Sequence, residues 1–239
     1  MKVKIGKKIL SANESFAEKN RRIFAKNNIL CFNMISSPGS GKTTILVRTI
    51  NELKGKIRIG IIEGDIQTDL DAQRIRKTRA PVVQINTKGG CHLSAAQVNK
   101  ALKLLPLDRL DIIVIENVGN LVCPSVFELG EAAKIAVLSV AEGDDKPAKY
   151  PEIFARAKAL LINKIDLLDS GAQIDFNINR VEKDVRKLNR KIEIFHVSAK
   201  TGDGFKNWCD WLMESSKKYT AGYLVLFQAA ALKGATKFA

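Results

Sequence analysis

The chain alternates short β-branched apolar runs with longer stretches in which apolar residues recur every three or four positions. Runs at Ile29–Ile35, Ile57–Ile62, Val82–Ile85, Ile112–Ile115, Ile135–Val140, Leu160–Ile162 and Ile192–Val197 are too short for helices and predict strands of a sheet buried on both faces. Between them, Thr43–Leu53, Leu93–Leu104, Phe176–Leu188 and Phe205–Met213 have helical spacing, with Ile178, Val181, Val185 and Leu188 in phase along the third. Ahead of the first strand, Ser11-Ala-Asn-Glu14 has capping-box spacing, and Phe16, Ile23 and Phe24 continue it as an amphipathic helix over residues 12–27. The order predicts an α/β fold, a doubly wound, mostly parallel sheet with helices on both faces, which presents ligand sites beyond the carboxyl ends of its strands.

The domain boundaries follow from this order. Residues 1–28 form a helical extension, 29–219 the α/β domain, and 220–239 a tail that is a docking helix or an appended segment. The apolar part of that tail, Tyr223–Leu232, is too short to span a bilayer, and no run approaches the roughly 20 apolar residues that a membrane helix needs. A basic start followed by polar residues does not read as a secretory signal, so a cytoplasmic location is expected. Four cysteines (Cys31, Cys91, Cys123, Cys209) in such a chain predict thiols rather than a disulfide framework. The net charge of +14 is spread along the sequence without an aromatic-interleaved cluster, which favours a solvated basic surface over nucleic-acid binding.

Ser36-Ser-Pro-Gly-Ser-Gly-Lys-Thr43 follows a predicted strand and opens a predicted helix, the setting that a phosphate-binding P-loop requires. Backbone N–H groups of Gly39, Ser40, Gly41, Lys42, Thr43 and Thr44 are placed to wrap phosphates at a helix N-terminus. Lys42 is expected to reach the β- and γ-phosphates and the Thr43 hydroxyl to hold Mg²⁺; Ser36 stands where the motif usually has its first glycine. Asn163-Lys164-Ile-Asp166 at the end of a late strand resembles the guanine-specificity element of GTPases, in which a carboxylate accepts two hydrogen bonds that adenine cannot supply. Ser198-Ala199-Lys200, after the next strand, resembles the last guanine loop, so GTP is the expected nucleotide. Asp65, ending Glu63-Gly-Asp65, is expected to support Mg²⁺ and orient the attacking water. Glu116 ends a Walker-B-like strand and completes the catalytic set with Lys42 and Asp65, and the Gly119 N–H is expected to meet the γ-phosphate. Asp69 and Asp71 read equally well as site residues or as solvated residues at a helix start.

A second chemistry lies on the same edge. Gly89-Gly-Cys91-His92 closes the loop after the third strand, and Cys123 follows Gly119 by four residues. Thiolate and imidazole donors suit Zn²⁺ in tetrahedral geometry or Ni²⁺ in square-planar geometry. Three ligands leave a position for water or for a second subunit across a two-fold axis. Cys31 on an apolar strand, Cys209 on the apolar face of a helix and His196 within a strand read as packing residues instead.

Taken together, the motifs resemble the HypB family of hydrogenase nickel-incorporation GTPases, of the dimerising SIMIBI metallochaperone class. The matching segments are Ser37–Thr44, Glu63–Asp65 with Thr68, Asp71 and Ala72, Gly90–Leu93, Glu116–Pro124, Ser139 and Val140, Glu142–Pro147 and Lys149–Pro151. The urease-type relative carries a different Cys-Pro-His arrangement, and the mutase-type chaperone lacks this Cys-His site. The chain has neither the N-terminal cysteine motif nor the histidine-rich tract of some members, and Ser94 stands where the family often has an acidic residue. The resemblance implies GTP hydrolysis to GDP and phosphate, a homodimer promoted by GTP, and a HypA-type nickel chaperone as partner. It also implies delivery of Ni²⁺ to the large subunit of a [NiFe] hydrogenase, with Ni²⁺ and Zn²⁺ competing at Cys91, His92 and Cys123. The competing functional reading is a GTP-dependent switch whose zinc is structural and which gates another protein without delivering metal.

Overall fold

The computed structural model describes residues 5–65, 69–169 and 174–235. In chain order the elements are α1 (Ile5–Lys26), β1 (Leu30–Ser36), α2 (Lys42–Glu52), β2 (Ile59–Asp65), α3 (Leu70–Arg76), β3 (Val82–Asn86) and α4 (Ala95–Leu102), then β4 (Ile112–Glu116), α5 (Cys123–Val126) and β5 (Ala133–Ser139). They continue through α6 (Lys146–Lys149), α7 (Pro151–Arg156), β6 (Ala157–Asn163), α8 (Ile178–Leu188), β7 (Glu193–Val197) and α9 (Phe205–Ala235). The strands form one seven-stranded sheet in the order β3-β2-β4-β1-β5-β6-β7. Every neighbouring pair is parallel, so the mostly parallel sheet expected from sequence is fully parallel.

Alternate residues of the central strands feed opposite faces, as the two-residue period of a strand demands. Leu30, Phe32 and Met34 of β1 point into a core shared with Ile45, Leu46 and Ile50 of α2 and with Trp208 and Leu212 of α9. On the other face Cys31 joins Phe24 of α1 and Val98 and Leu102 of α4, while Ile35 joins Phe154 of α7 and Val181 and Val185 of α8. The edge strands depart from the expectation of burial on both faces: β3 and β7 are mostly half-buried, because each has a strand neighbour on one side only.

Two further expectations are corrected. The leading helix begins by Ile5, so Ser11–Glu14 lies within it and is no capping box. Asn13 is used instead for tertiary bonding, accepting from Ala95 N–H at 2.8 Å and donating to Glu128 O at 2.7 Å. A complete capping box does occur at α4, where Ser94 and Gln97 satisfy each other's backbone N–H groups. The last helix does not stop near Met213: α9 runs without a break past residue 220, and Trp208 anchors it by donating to Thr49 Oγ1 at 3.0 Å. Thr68 and the side chains of Tyr223–Leu232 lie outside the described residues.

Candidate nucleotide and metal sites

The P-loop joins the end of β1 to α2. Gly39 and Gly41 hold φ of 75° and 93°, which only glycine adopts without strain, and a Cβ on Gly41 would stand 2.5 Å from Asn163 Nδ2. Lys42 is buried across the loop, with its Nζ donating to Ser36 Oγ at 2.9 Å. Its pKa is lowered by burial, against the opposing pull of Glu116 and other carboxylates. A cavity of about 460 Å³ opens over this loop, lined by Lys42, Thr43, Glu63, Asp65, Glu116 and Gly119 among others.

The carboxylates of the cavity are of two kinds. Asp65, at the last position of β2, is half-exposed. Glu63 and Glu116 are buried and face each other across paired strands, where the two residues are register partners. Burial pushes Glu63 up to about 8, with repulsion from Glu116, Asp65 and Asp71 adding to it. Burial also pushes Glu116 up to about 7, against the attraction of Lys42 and the hydrogen bond from Thr43. Both Glu63 Oε2 and Glu116 Oε2 are buried without a hydrogen-bond partner, an expensive condition for a carboxylate unless a cation joins it. Hard oxygen donors beside the Thr43 hydroxyl fit Mg²⁺. In the sequence Glu63 follows the apolar run Ile57–Ile62 and carries no assigned role; its place in the site comes from the pairing of β2 with β4. Asp71 and Arg74 also line this cavity, so Asp71 is not merely a solvated residue at the start of α3. Arg74 bridges Asp71 Oδ1 and Thr44 Oγ1 at 3.1 and 2.8 Å.

The guanine-type elements meet the far side of the P-loop in a second cavity of about 200 Å³, lined by Gly41, Thr44, Asn163, Lys164, Asp166, Leu167, Ala199 and Lys200. Asn163, buried, donates to Ser40 O at 2.9 Å and accepts from Ala199 N–H at 3.1 Å, clipping three loops together. Lys164 adopts φ of 64° and donates to Gly39 O at 2.8 Å. Ser198 Oγ donates to Asp166 Oδ1 at 2.6 Å, which orients the carboxylate toward the cavity it lines.

The third cluster sits where the β3–α4 loop meets the start of α5. Ligand atoms of Cys91, His92 and Cys123 lie within 4.8 Å of one another, a group able to hold one metal ion. Lys88 and Gly89, with φ of 50° and 92°, turn the backbone so that adjacent residues 91 and 92 can face one point. Hydrogen bonding with Cys123 raises the Cys91 pKa, and burial lowers that of His92. The Phe127 ring lies 3.9 Å from the His92 ring, centroid to centroid, and Asn120 Nδ2 donates to Cys91 O at 3.1 Å. Cys31 and Cys209 are buried packing residues as expected. His196 is paired with Glu182 Oε1 at 2.7 Å, far from this cluster in the chain order of the sheet. The segment between the sites is short: Gly119 packs so tightly on the P-loop that a Cβ would stand 2.8 Å from Pro38.

A fully parallel sheet, a P-loop at the end of its central strand and two guanine-type loops define a nucleotide-binding protein of the P-loop GTPase class. The CobW/HypB/UreG nucleotide-binding domain matches residues 31–196. The hydrogenase maturation factor HypB of Rhizobium leguminosarum bv. viciae is 47% identical over 216 residues, covering 90% of this chain and 71% of its own. HypB crystal structures from Helicobacter pylori, in complex with nickel, and from Archaeoglobus fulgidus superpose with TM-scores of 0.81 and 0.80 at 37% and 35% identity. Each covers 87% of this chain, with 96% and 100% of the respective solved chain matched. The chain belongs to the HypB family of hydrogenase maturation factors. The signal recognition particle receptor FtsY, at 13% identity and a TM-score of 0.51, shares the fold alone.

Proposed function

We propose that the protein is a GTP-hydrolysing nickel chaperone that helps deliver Ni²⁺ to the large subunit of a [NiFe] hydrogenase, with its metal site and nucleotide state coupled. The observation that carries this reading is the convergence of Cys91, His92 and Cys123 within 4.8 Å, with Cys123 on the segment that begins at Glu116 and Gly119. Nickel bound in the H. pylori relative supports Ni²⁺ as cargo. A structural zinc site is closed by four protein ligands. The described residues supply three, and Cys91 is exposed, which favours a cargo site open to a second subunit, a HypA-type chaperone or the acceptor. A homodimer promoted by GTP supplies the missing ligands by symmetry. The catalytic domain spans residues 29–219, with residues 1–28 as its extension, and the protein acts in the cytoplasm.

In this reading Asp166 accepts two hydrogen bonds from guanine, Lys42 neutralises charge on the β- and γ-phosphates, and the Gly119 N–H contacts the γ-phosphate. Asp65 orients the attacking water, so that GTP and water give GDP and phosphate mainly by positioning and electrostatics. Thr43 and Asp65, with Glu116 and Glu63 behind them, would hold Mg²⁺, which supplies Lewis-acid neutralisation of the phosphates when bound. The test is Ni²⁺ affinity and oligomeric state measured together, with GDP and with a non-hydrolysable GTP analogue. The expected result is a change in both on exchanging the nucleotides. Equal Ni²⁺ affinity and a monomer in both states would overturn the reading.

A further inference from the structure

Asn117 follows directly on β4 and is buried. Its Oδ1 accepts two hydrogen bonds, from Val118 N–H and from Leu93 N–H, each at 3.1 Å. One donor belongs to the turn that carries Gly119; the other is the residue after His92. On its other side Asn117 Nδ2 donates to Asn33 Oδ1 at 3.1 Å, and Asn33 Nδ2 donates to Glu131 Oε1 at 3.0 Å. Glu131 also accepts from Leu129 N–H at 2.6 Å and is ion-paired with buried Lys134. Lys134 Nζ in turn donates to the carbonyl of Phe127, whose ring lies against His92. A continuous polar chain thus leaves the nucleotide-side turn and reaches the metal cluster from two directions, through the backbone after His92 and through the aromatic wall beside it.

Apolar residues would fill these positions at lower desolvation cost, since Asn33 stands between apolar Phe32 and Met34 of the central strand with no exposure to solvent. Buried amides and an ion pair that are fully satisfied specify one arrangement of the segments they join. The frame around them is fixed by α1. Asn20 Nδ2 donates to Ala95 O at 2.9 Å and to Leu129 O at 2.8 Å, and a Cβ on Gly130 would stand 2.6 Å from Ala17 O. Asn117 Oδ1 is thus shared between the Val118–Gly119 turn and the Leu93 N–H, so a movement of the turn that rotates this amide would also displace the Leu93 N–H.

We infer that Asn117, Asn33 and Glu131 are positioning residues that transmit nucleotide state from the Gly119 turn to the Cys91–His92–Cys123 site. This rests on the proposed coupling of metal and nucleotide. The test uses the full chain, with Ni²⁺ titrated in Mg²⁺–GDP and in Mg²⁺ with a non-hydrolysable GTP analogue, and backbone hydrogen exchange followed over residues 90–95 and 127–131. In the unaltered protein the two Ni²⁺ dissociation constants differ roughly fivefold or more, and exchange in both segments changes with the nucleotide. In Asn33→Leu the ratio falls to about one and the nucleotide dependence of exchange disappears, while GDP affinity is unchanged. A wild-type ratio retained in that variant overturns the relay and leaves the coupled chaperone standing; a ratio of one in the unaltered protein overturns both. If Asn33→Leu does not fold, the isosteric Glu131→Gln serves: a ratio reduced about threefold or more supports the relay, and an unchanged ratio overturns it.

Discussion

Thr43 Oγ1 donates to Glu116 Oε1 across 2.7 Å, joining the first turn of α2 to the last residue of β4. The hydroxyl lies beside a buried carboxylate whose second oxygen has no partner, so both groups are ready to share a hard cation. Thr43→Val should fold, because the substitution conserves shape, and should lose about tenfold or more in Mg²⁺-dependent nucleotide affinity, roughly 1.4 kcal/mol. Titration calorimetry with and without Mg²⁺ checks this, and an equal loss in both conditions would mean that the hydroxyl does not act through the metal.

The raised carboxyls make the stability of the nucleotide-free, metal-free chain depend on pH. Glu63, at about 8, and Glu116, at about 7, both lie above their ordinary value of 4.5. Between the unfolded and folded values the native state binds more protons, so stability falls as pH rises through this window. Thermal melts should show a falling Tm from about pH 5 to pH 8. Glu63→Gln should flatten the upper part of that slope, and Mg²⁺–GDP should offset it. A slope unaltered in Glu63→Gln would place its origin elsewhere.

Gly119→Ala inserts a methyl 2.8 Å from Pro38 backbone atoms, where neither side can yield cheaply. The turn must then withdraw from the P-loop. If the Gly119 N–H contacts the γ-phosphate as proposed, affinity for a GTP analogue should fall about tenfold or more while GDP binding, which lacks that phosphate, changes little. Parallel titrations of the two nucleotides decide it.

Asp166→Asn replaces the acceptor that Ser198 orients with a side chain that presents a donor. Preference for GTP over ATP should drop by about a hundredfold or more, with metal binding intact. Competition between the two nucleotides for binding is the measurement, and retained selectivity would remove Asp166 from the base site.

Cys123→Ala removes a donor from a three-residue cluster without touching either nucleotide cavity. Ni²⁺ affinity should weaken by about a hundredfold while GDP affinity stays within about twofold. Equilibrium dialysis against Ni²⁺ reads the first and fluorescence titration the second. Unchanged Ni²⁺ affinity would make Cys123 a packing thiol.

The strands, their order of appearance, the P-loop and the guanine loops were readable in the sequence because each depends on local chemistry. β-branched runs, glycines at positive φ and short polar motifs after strands act within a few residues of themselves. The sequence also named Cys91, His92 and Cys123 by donor type. It misplaced the start of the first helix, since Asn13 spends its side chain on Ala95 and Glu128, partners 82 and 115 residues away. The same distance hid Glu63: its burial opposite Glu116 follows from β2 pairing with β4, a register that no local pattern encodes. The meeting of three metal donors, the clip that Asn163 makes between Ser40 and Ala199, and the polar chain from Asn117 to Lys134 are likewise products of tertiary structure. Sequence determined which groups were available and which elements carried them. Only the parallel sheet, by bringing the carboxyl ends of separate strands to one edge, decided which of those groups share a site.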